Sequence, residues 1–206
     1  MSSFWDTFAG IYDLNENIFN RSVNEQMCKA LENEIPEGAM VLDCAAGTGM
    51  LSMTAAKNAK KVLCTDLSKK MLIQAMKKSR RSGIHNIAFA KRNITALKDP
   101  DNSFDVVIAG NVMHLLDDPG KAFSELVRVT KKGGKIILPT YVTKEAGLFS
   151  KLCIEVYRLL GYKGKAMNTE DYLNFIAENA EKNDCLEYST RLLLGNIPAA
   201  FAVIKK

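Results

Sequence analysis

The sequence predicts an α/β protein built on a doubly wound, mostly parallel sheet of seven strands that closes in a C-terminal antiparallel hairpin. Three observations carry this expectation. Short apolar runs alternate with segments of helical period between Met40 and Tyr141. One of those runs, Val41-Leu42-Asp43-Cys44, opens directly into a turn with Gly47 and Gly49 at alternate positions, followed by helix-forming residues. Finally, the runs Cys185 to Leu194 and Ala199 to Ile204 are separated by little more than Gly195, Asn196 and Pro198, which is too short for anything but a hairpin.

Each element follows in order. Phe4, Trp5, Phe8, Ile11, Tyr12 and Phe19 make the segment Phe4 to Asn20 too apolar for a free tail, so it is expected to cover something. A helix over Ser22 to Glu34 sets Val23, Met27, Ala30 and Leu31 on one side and ends before Pro36 and Gly38. The first strand is Met40 to Cys44, the next helix Met50 to Asn58, and the second strand Lys61 to Thr65, closed by Asp66. Helix Ser68 to Arg81 begins on a serine cap and stops at Gly83. Strand Asn86 to Ala90 follows, and after the polar turn Asp99 to Asn102 comes the nearly continuous apolar strand Phe104 to Ala109, expected to be buried on both faces. Helix Pro119 to Val129 ends before Lys131-Lys132-Gly133-Gly134, and Lys135 to Tyr141 is the fifth strand. Amphipathic helices are expected over Glu145 to Leu160 and Thr169 to Asn179, joined through Gly161 to Lys165. No repeat, linker or low-complexity tract interrupts the chain. It reads as one domain over 1–206: an N-terminal helical segment (1–37), a ligand-binding core (38–142) and a substrate-side region with the hairpin (143–206).

Composition narrows the function. The 206 residues, 47% apolar and 25% charged, suit one globular domain with a sizeable core. No apolar run approaches membrane-spanning length and the N-terminus lacks a basic region followed by an apolar one, so a cytoplasmic protein without stable membrane insertion is expected. Five dispersed cysteines, Cys28, Cys44, Cys64, Cys153 and Cys185, argue against a disulfide framework and against a metal centre. The net charge of +5 and the basic residues of Lys57 to Lys61 and Lys69 to Arg81 raise the question of nucleic acid. In the second cluster, however, Met71, Leu72, Ala75 and Met76 form an apolar stripe that leaves the lysines on a wet face, without aromatics for base stacking. No nucleic-acid partner is expected.

The glycine turn carries the chemistry. Gly47 and Gly49 lack a Cβ, so the backbone can reach positive φ and a ligand can lie directly on it. A dinucleotide site would require G-x-G-x-x-G, with a pyrophosphate at the helix start. Here Ser52 occupies the third glycine position and Asp43 ends the strand, where it would repel a pyrophosphate and suit a ligand with an ammonium group. At the tip of the second strand, seventeen positions after Gly49, Asp66 is placed to accept hydrogen bonds from ribose hydroxyls. The alternative for Asp66 is an acid favourably placed at a helix start.

The pattern Asp43-x-Ala45-x-Gly47-x-Gly49 resembles motif I of the class I S-adenosylmethionine-dependent methyltransferases, with Ala45 standing where that family usually has its first glycine. Asp66, the segment Leu97 to Asp105 and the segment Arg128 to Gly134 match further landmarks in order, and Phe8-Ala9-Gly10-Ile11-Tyr12-Asp13 is similar to the entry segment of the ubiquinone/menaquinone-biosynthesis C-methyltransferase group. The resemblance implies a Rossmann-like fold and S-adenosyl-L-methionine as cofactor, held by Asp43, Ala45, Gly47, Thr48, Gly49 and Asp66. It also implies Leu67, Met71 and Ile94 against the adenine ring, Asn93 receiving the adenine amino group where the family commonly has Asp, and Asn111 near the methionine end. Asn93 reads equally as a plain turn residue.

A sulfonium methyl is already activated, so in-line positioning and exclusion of water carry most of the chemistry, and a base is needed only for a protonated nucleophile. His114, just past the fourth strand, and Tyr12, on the covering segment, are candidates for such a role; a helix-surface histidine and a packing tyrosine are the alternatives. The expected partner is a small, partly apolar methyl acceptor. A phospholipid or amphiphile N-methyltransferase and a cofactor-binding protein without catalysis are the competing readings. A nicotinamide-dependent oxidoreductase is disfavoured by Ser52 and Asp43.

Overall fold

The computed structural model describes residues 5–7, 9–10, 20–147, 158–159, 164–185 and 187–206. Seven strands form one sheet: β1 Met40–Cys44, β2 Lys61–Asp66, β3 Ile87–Lys91, β4 Phe104–Ile108, β5 Thr130–Tyr141, β6 Glu187–Leu193 and β7 Ala199–Lys205. Their order is β3-β2-β1-β4-β5-β7-β6, with β1 to β5 parallel and β7 antiparallel to both β5 and β6. The predicted fold class and its terminal hairpin are both present. Strand order reverses between β1 and β4, so their carboxyl ends lie side by side at the crevice where such sheets bind ligands.

The helices are α1 Arg21–Glu32, α2 Met50–Ala55, α3 Lys69–Arg81, α4 Pro119–Val129 and α5 Thr169–Lys182. The apolar character of β4, broken only by Asp105, has a packing reason. Val106 and Ile108 join a core with Met27 and Leu31 of α1 and Leu51 and Ala55 of α2, while Val107 joins Phe123 and Leu126 of α4 and Ile176 of α5 on the opposite side. On that second side the rings of Phe123 and Phe175 meet edge to face, centroids 6.1 Å apart. The fully buried Tyr172 of α5 donates its hydroxyl to the carbonyl of Leu138 on β5.

Local chemistry sets the element ends. Ser68 caps α3 by accepting from the Met71 N–H at 3.1 Å, and α3 buries Met71, Leu72, Ala75 and Ser79 against the sheet. Asn168 and Asp171 form a reciprocal capping box at the start of α5. Helix α2 is shorter than predicted because Lys57 and Asn58 donate to Thr54 and Ala55, three residues back, which tightens the last turn out of α-helical geometry.

Two expectations need correction. The residues Lys131 to Gly134, left between the predicted helix and the predicted fifth strand, belong to β5, which begins at Thr130. Phe104 pairs with Thr130 and Val106 with Lys135, so three extra residues bulge out of β5, with Gly133 at φ +72°. The helix predicted from Glu145 does not begin there: Thr143–Glu145 is a 3₁₀ turn and Ala146 is extended. Most of that predicted helix lies outside the described residues, as do Phe4, Phe8, Ile11, Tyr12 and Phe19. No described helix is long and apolar enough to cross a membrane. Among the described residues no three His, Cys, Asp or Glu side chains gather as a metal site would require, and Cys28, Cys44, Cys64 and Cys185 are free thiols.

Candidate active site

At the tip of β1 the chain turns sharply, with Ala45, Gly47 and Gly49 all in the left-handed region at φ 51°, 55° and 82°. Each glycine has its own reason. A Cβ on Gly49 would lie 3.0 Å from the Ala75 Cβ of α3, so this position is needed for close helix packing. A Cβ on Gly47 would meet nothing within 4 Å and would project into open space, the place a ligand lying on the backbone would take. Ala45 adopts the same sign of φ despite its methyl, at a cost of about 1 kcal/mol, and the bond from Ala46 N–H to the Thr65 carbonyl at 2.8 Å holds the backbone there.

Asp43 sits beneath this turn. It is fully buried, its Oδ2 accepts from the Ser52 hydroxyl at 2.6 Å, and its Oδ1 has no hydrogen-bond partner among the described residues. Burial raises its pKa to about 7, the Ser52 hydrogen bond opposes the rise, and the nearby Asp66 carboxylate adds to it. Ser52, which breaks the dinucleotide pattern, therefore has a structural use as the partner of Asp43. The carboxylate is not part of the cavity wall, contrary to the direct ligand contact expected of it.

Asp66, at the tip of β2, accepts from the Gly47 N–H at 2.9 Å through Oδ2 and from the Ser68 N–H at 2.7 Å through Oδ1. Burial raises its pKa, against the pull of these backbone bonds. Asp66 thus precedes the Ser68 cap of α3 and also lines the cavity. Next to it the Ser68 hydroxyl donates to Asp6 Oδ1 at 2.5 Å, which brings the described part of the N-terminal segment over the site, with Trp5 in the wall.

The cavity itself measures about 280 Å³ and runs along the strand tips from β3 to β4. Of the predicted residues, Ala45, Gly47, Thr48, Asp66, Leu67, Met71, Ile94 and Asn111 line it. Gly49 lies behind the turn. Asn93 points elsewhere: it is exposed, and its Oδ1 accepts from the N–H and hydroxyl of Thr95 at 3.1 and 3.0 Å, a side-chain turn that leaves Arg92 in the wall instead. His114 is also outside the wall. It is buried in the 3₁₀ turn Met113–Leu115, and burial lowers its pKa to about 4. Tyr12 lies outside the described residues. Sequence reasoning missed Asn24, Lys78, Arg92, Gly110 and the apolar trio Val112, Leu115 and Leu116. Only the trio carried a signal, as an apolar stretch after β4; Asn24 and Lys78 sit on helices whose polar residues read as solvated.

The residues present fit an adenosyl amino acid. Open backbone at Gly47, a carboxylate at the second strand tip, apolar side chains from Leu67, Met71 and Ile94 and a polar amide at Asn111 share the cavity wall.

Comparisons with known proteins agree with this geometry. A family described as a methyltransferase domain matches residues 42–138. The ubiquinone/menaquinone biosynthesis C-methyltransferase UbiE of Bdellovibrio bacteriovorus is 35% identical over 134 residues, 63% of this chain and 57% of that protein. The chain thus spans little more than half the length of this curated relative. Among solved structures, an S-adenosylmethionine-dependent methyltransferase of Thermotoga maritima, titled a possible histamine N-methyltransferase, superposes with a TM-score of 0.76 at 19% identity, covering 100% of both chains. A phosphoethanolamine N-methyltransferase of Haemonchus contortus, solved with phosphomonomethylethanolamine and S-adenosylhomocysteine, gives 0.69 at 19% identity over 89% of this chain and 52% of that one. At such identities the two structures speak for the fold alone.

Residues 42–138 match the methyltransferase-domain family, and the chain resembles the class I S-adenosylmethionine-dependent methyltransferases, whose cofactor is S-adenosyl-L-methionine. Within that class it resembles the ubiquinone/menaquinone biosynthesis C-methyltransferases.

Proposed function

We propose that this chain methylates a small, partly apolar acceptor that enters from the β4 side of the cavity. One observation carries the reading: after Asn111 the lining turns apolar, with Val112, Leu115 and Leu116 sharing the cavity wall with Leu51. S-adenosylmethionine supplies an activated methyl when bound. Asp66 and the Gly47 backbone fix its ribose and the turn beneath it, Leu67, Met71 and Ile94 enclose the ring, and Asn111 meets the amino-acid end. The apolar wall excludes water and favours dispersal of the sulfonium charge as the methyl leaves. No base is assigned to His114, which lies off the wall.

The named activity of the Bdellovibrio relative makes a quinol-like ring the first acceptor to try. In this reading residues 38–142 hold the cofactor, and Val112, Leu115 and Leu116 together with 1–37 and 143–206 shape the acceptor side. Transfer of a radiolabelled methyl from S-adenosylmethionine to short-chain demethylquinols, simple phenols, small amines and phosphatidylethanolamine vesicles tests this. Label in an aromatic product is the expected result. Label only in vesicle lipid, or in none of the acceptors, overturns it.

A further inference from the structure

Charge is unevenly spread along this chain. Residues 67–98 hold nine of its 28 basic residues and none of its 23 acidic ones. The remainder, with 19 basic against 23 acidic, is net negative although the whole carries +5. Helix α3 concentrates this excess on one side. Its exposed residues are Lys69, Lys70, Ile73, Lys77, Arg80 and Arg81, which the helical repeat gathers into about one third of the circumference. Met71, Leu72, Ala75 and Ser79 face the sheet from the other side. Lysines elsewhere meet carboxylates, as Lys57 meets Glu32 at 2.9 Å and Lys131 meets Asp105 at 2.7 Å. Among the described residues no acid pairs with the five cations of this face. Ile73, 48% exposed, stands in the middle of them, and Leu67, 42% exposed, precedes the helix and lines the cavity.

We propose that this face of α3 docks the protein on an anionic phospholipid surface. Five cations without an interspersed acid complement a layer of lipid phosphates, each adding to the attraction. Ile73 decides between polyanions. A branched apolar side chain gains nothing against the phosphates of a nucleic acid, whereas at a bilayer it enters the boundary between headgroups and acyl chains. Aromatic side chains that would stack on bases are absent from the exposed arc. The docking is peripheral, because the apolar side of α3 stays in the protein core and only Ile73 is left to anchor the arc. Leu67 and Ser68 lead from the cavity wall into the helix, so a docked protein holds the cavity beside the lipid surface. Docking of this kind requires neither a particular acceptor nor a bound cofactor.

Flotation of the full chain with vesicles of phosphatidylcholine, alone or with about 30% phosphatidylglycerol, at about 0.15 M salt tests the docking. Binding to the phosphatidylglycerol vesicles only is the expected result. Lys70→Gln combined with Lys77→Gln weakens it about 25-fold, about fivefold for each cation. Ile73→Gln, which leaves the charge intact, weakens it about threefold or more. None of these three residues lines the cavity, so affinity for S-adenosylhomocysteine and the melting temperature stay as in wild type, which separates lost docking from lost folding. Equal binding to both vesicle types, binding to neither, or wild-type vesicle affinity in the lysine pair overturns the proposal. An Ile73→Gln protein with unchanged vesicle affinity overturns it too. Tighter binding of a double-stranded oligonucleotide than of the anionic vesicles, at the same salt, assigns the face to nucleic acid instead.

Discussion

The Gly47 N–H donates to Asp66 Oδ2 at 2.9 Å, which joins the turn after β1 to the tip of β2. The same carboxylate takes the Ser68 N–H at the start of α3 through its other oxygen, 2.7 Å away. One acid therefore fixes two backbone segments of the cavity wall, and keeps lone pairs for the ribose hydroxyls proposed to lie there.

Gly47→Ala separates ligand space from folding. The added methyl meets no protein atom, so stability falls by only about 1 kcal/mol, the cost of a left-handed alanine. Affinity for S-adenosylhomocysteine falls at least about tenfold, because the methyl enters the ligand's place. Gly49→Ala is the counterpart: its Cβ would press on Ala75, so the melting temperature drops further than for Gly47→Ala. Thermal melts and calorimetry on both variants check the contrast, and a Gly47→Ala protein that binds normally places the ligand elsewhere.

Asp43 gives the fold a pH dependence of known sign. Its folded pKa of about 7 is raised above the ordinary carboxylate value, so between about pH 4 and pH 7 the folded chain keeps a proton that the unfolded chain has lost. This contribution to stability is fully present below pH 4 and disappears as pH rises through 7. Asp43→Asn removes the slope, so the variant gains about 2 to 3 kcal/mol relative to wild type between pH 5 and pH 8. Urea titrations at both pH values measure the gain, and parallel pH dependence in the two proteins contradicts it.

His114→Ala tests the base that sequence position suggested. The imidazole is buried off the cavity wall and neutral above about pH 4, so kcat is expected to stay within about threefold of wild type. Stability falls by about 1 to 3 kcal/mol, from the loss of a packed buried side chain. A large drop in kcat with an unchanged melting temperature would restore His114 to the chemistry.

The β5 bulge supplies a test remote from the site. A Cβ on Gly134 would lie 2.8 Å from the Asp105 carbonyl and 2.9 Å from that of Lys131, backbone atoms that cannot yield cheaply, whereas one on Gly133 meets nothing. Gly134→Ala therefore costs about 2 kcal/mol or more, and Gly133→Ala about 1 kcal/mol. Chemical denaturation of the two variants ranks them; the reverse order contradicts the bulge geometry.

Strands and helix starts were legible because their causes are local. Ser68 is a cap by its own chemistry, and Phe104 to Ile108 is apolar except for Asp105 because two layers cover it. The bulge at Lys131–Gly134 was not legible, since it depends on pairing with Phe104 and Val106 and on bonds from Gly133 N–H to the Lys206 carbonyl and from Lys206 N–H to the Gly134 carbonyl. At the site, Gly47 and Asp66 could be read from the turn and the strand tip. Asn24 and Lys78 could not, because a polar residue on an amphipathic helix looks the same whether it meets water or a cavity. Asn93 was ambiguous for a related reason: the same oxygen can accept from a ligand or from Thr95, and here it accepts from Thr95.

Titration of the wild-type chain with S-adenosylhomocysteine and, separately, with NAD measures the central claim most directly. Single-site micromolar binding of S-adenosylhomocysteine, with no heat from NAD at millimolar concentration, is the predicted result. Silence toward S-adenosylhomocysteine at millimolar concentration, or tighter binding of NAD, contradicts a cofactor seat on the Gly47 backbone beside Asp66.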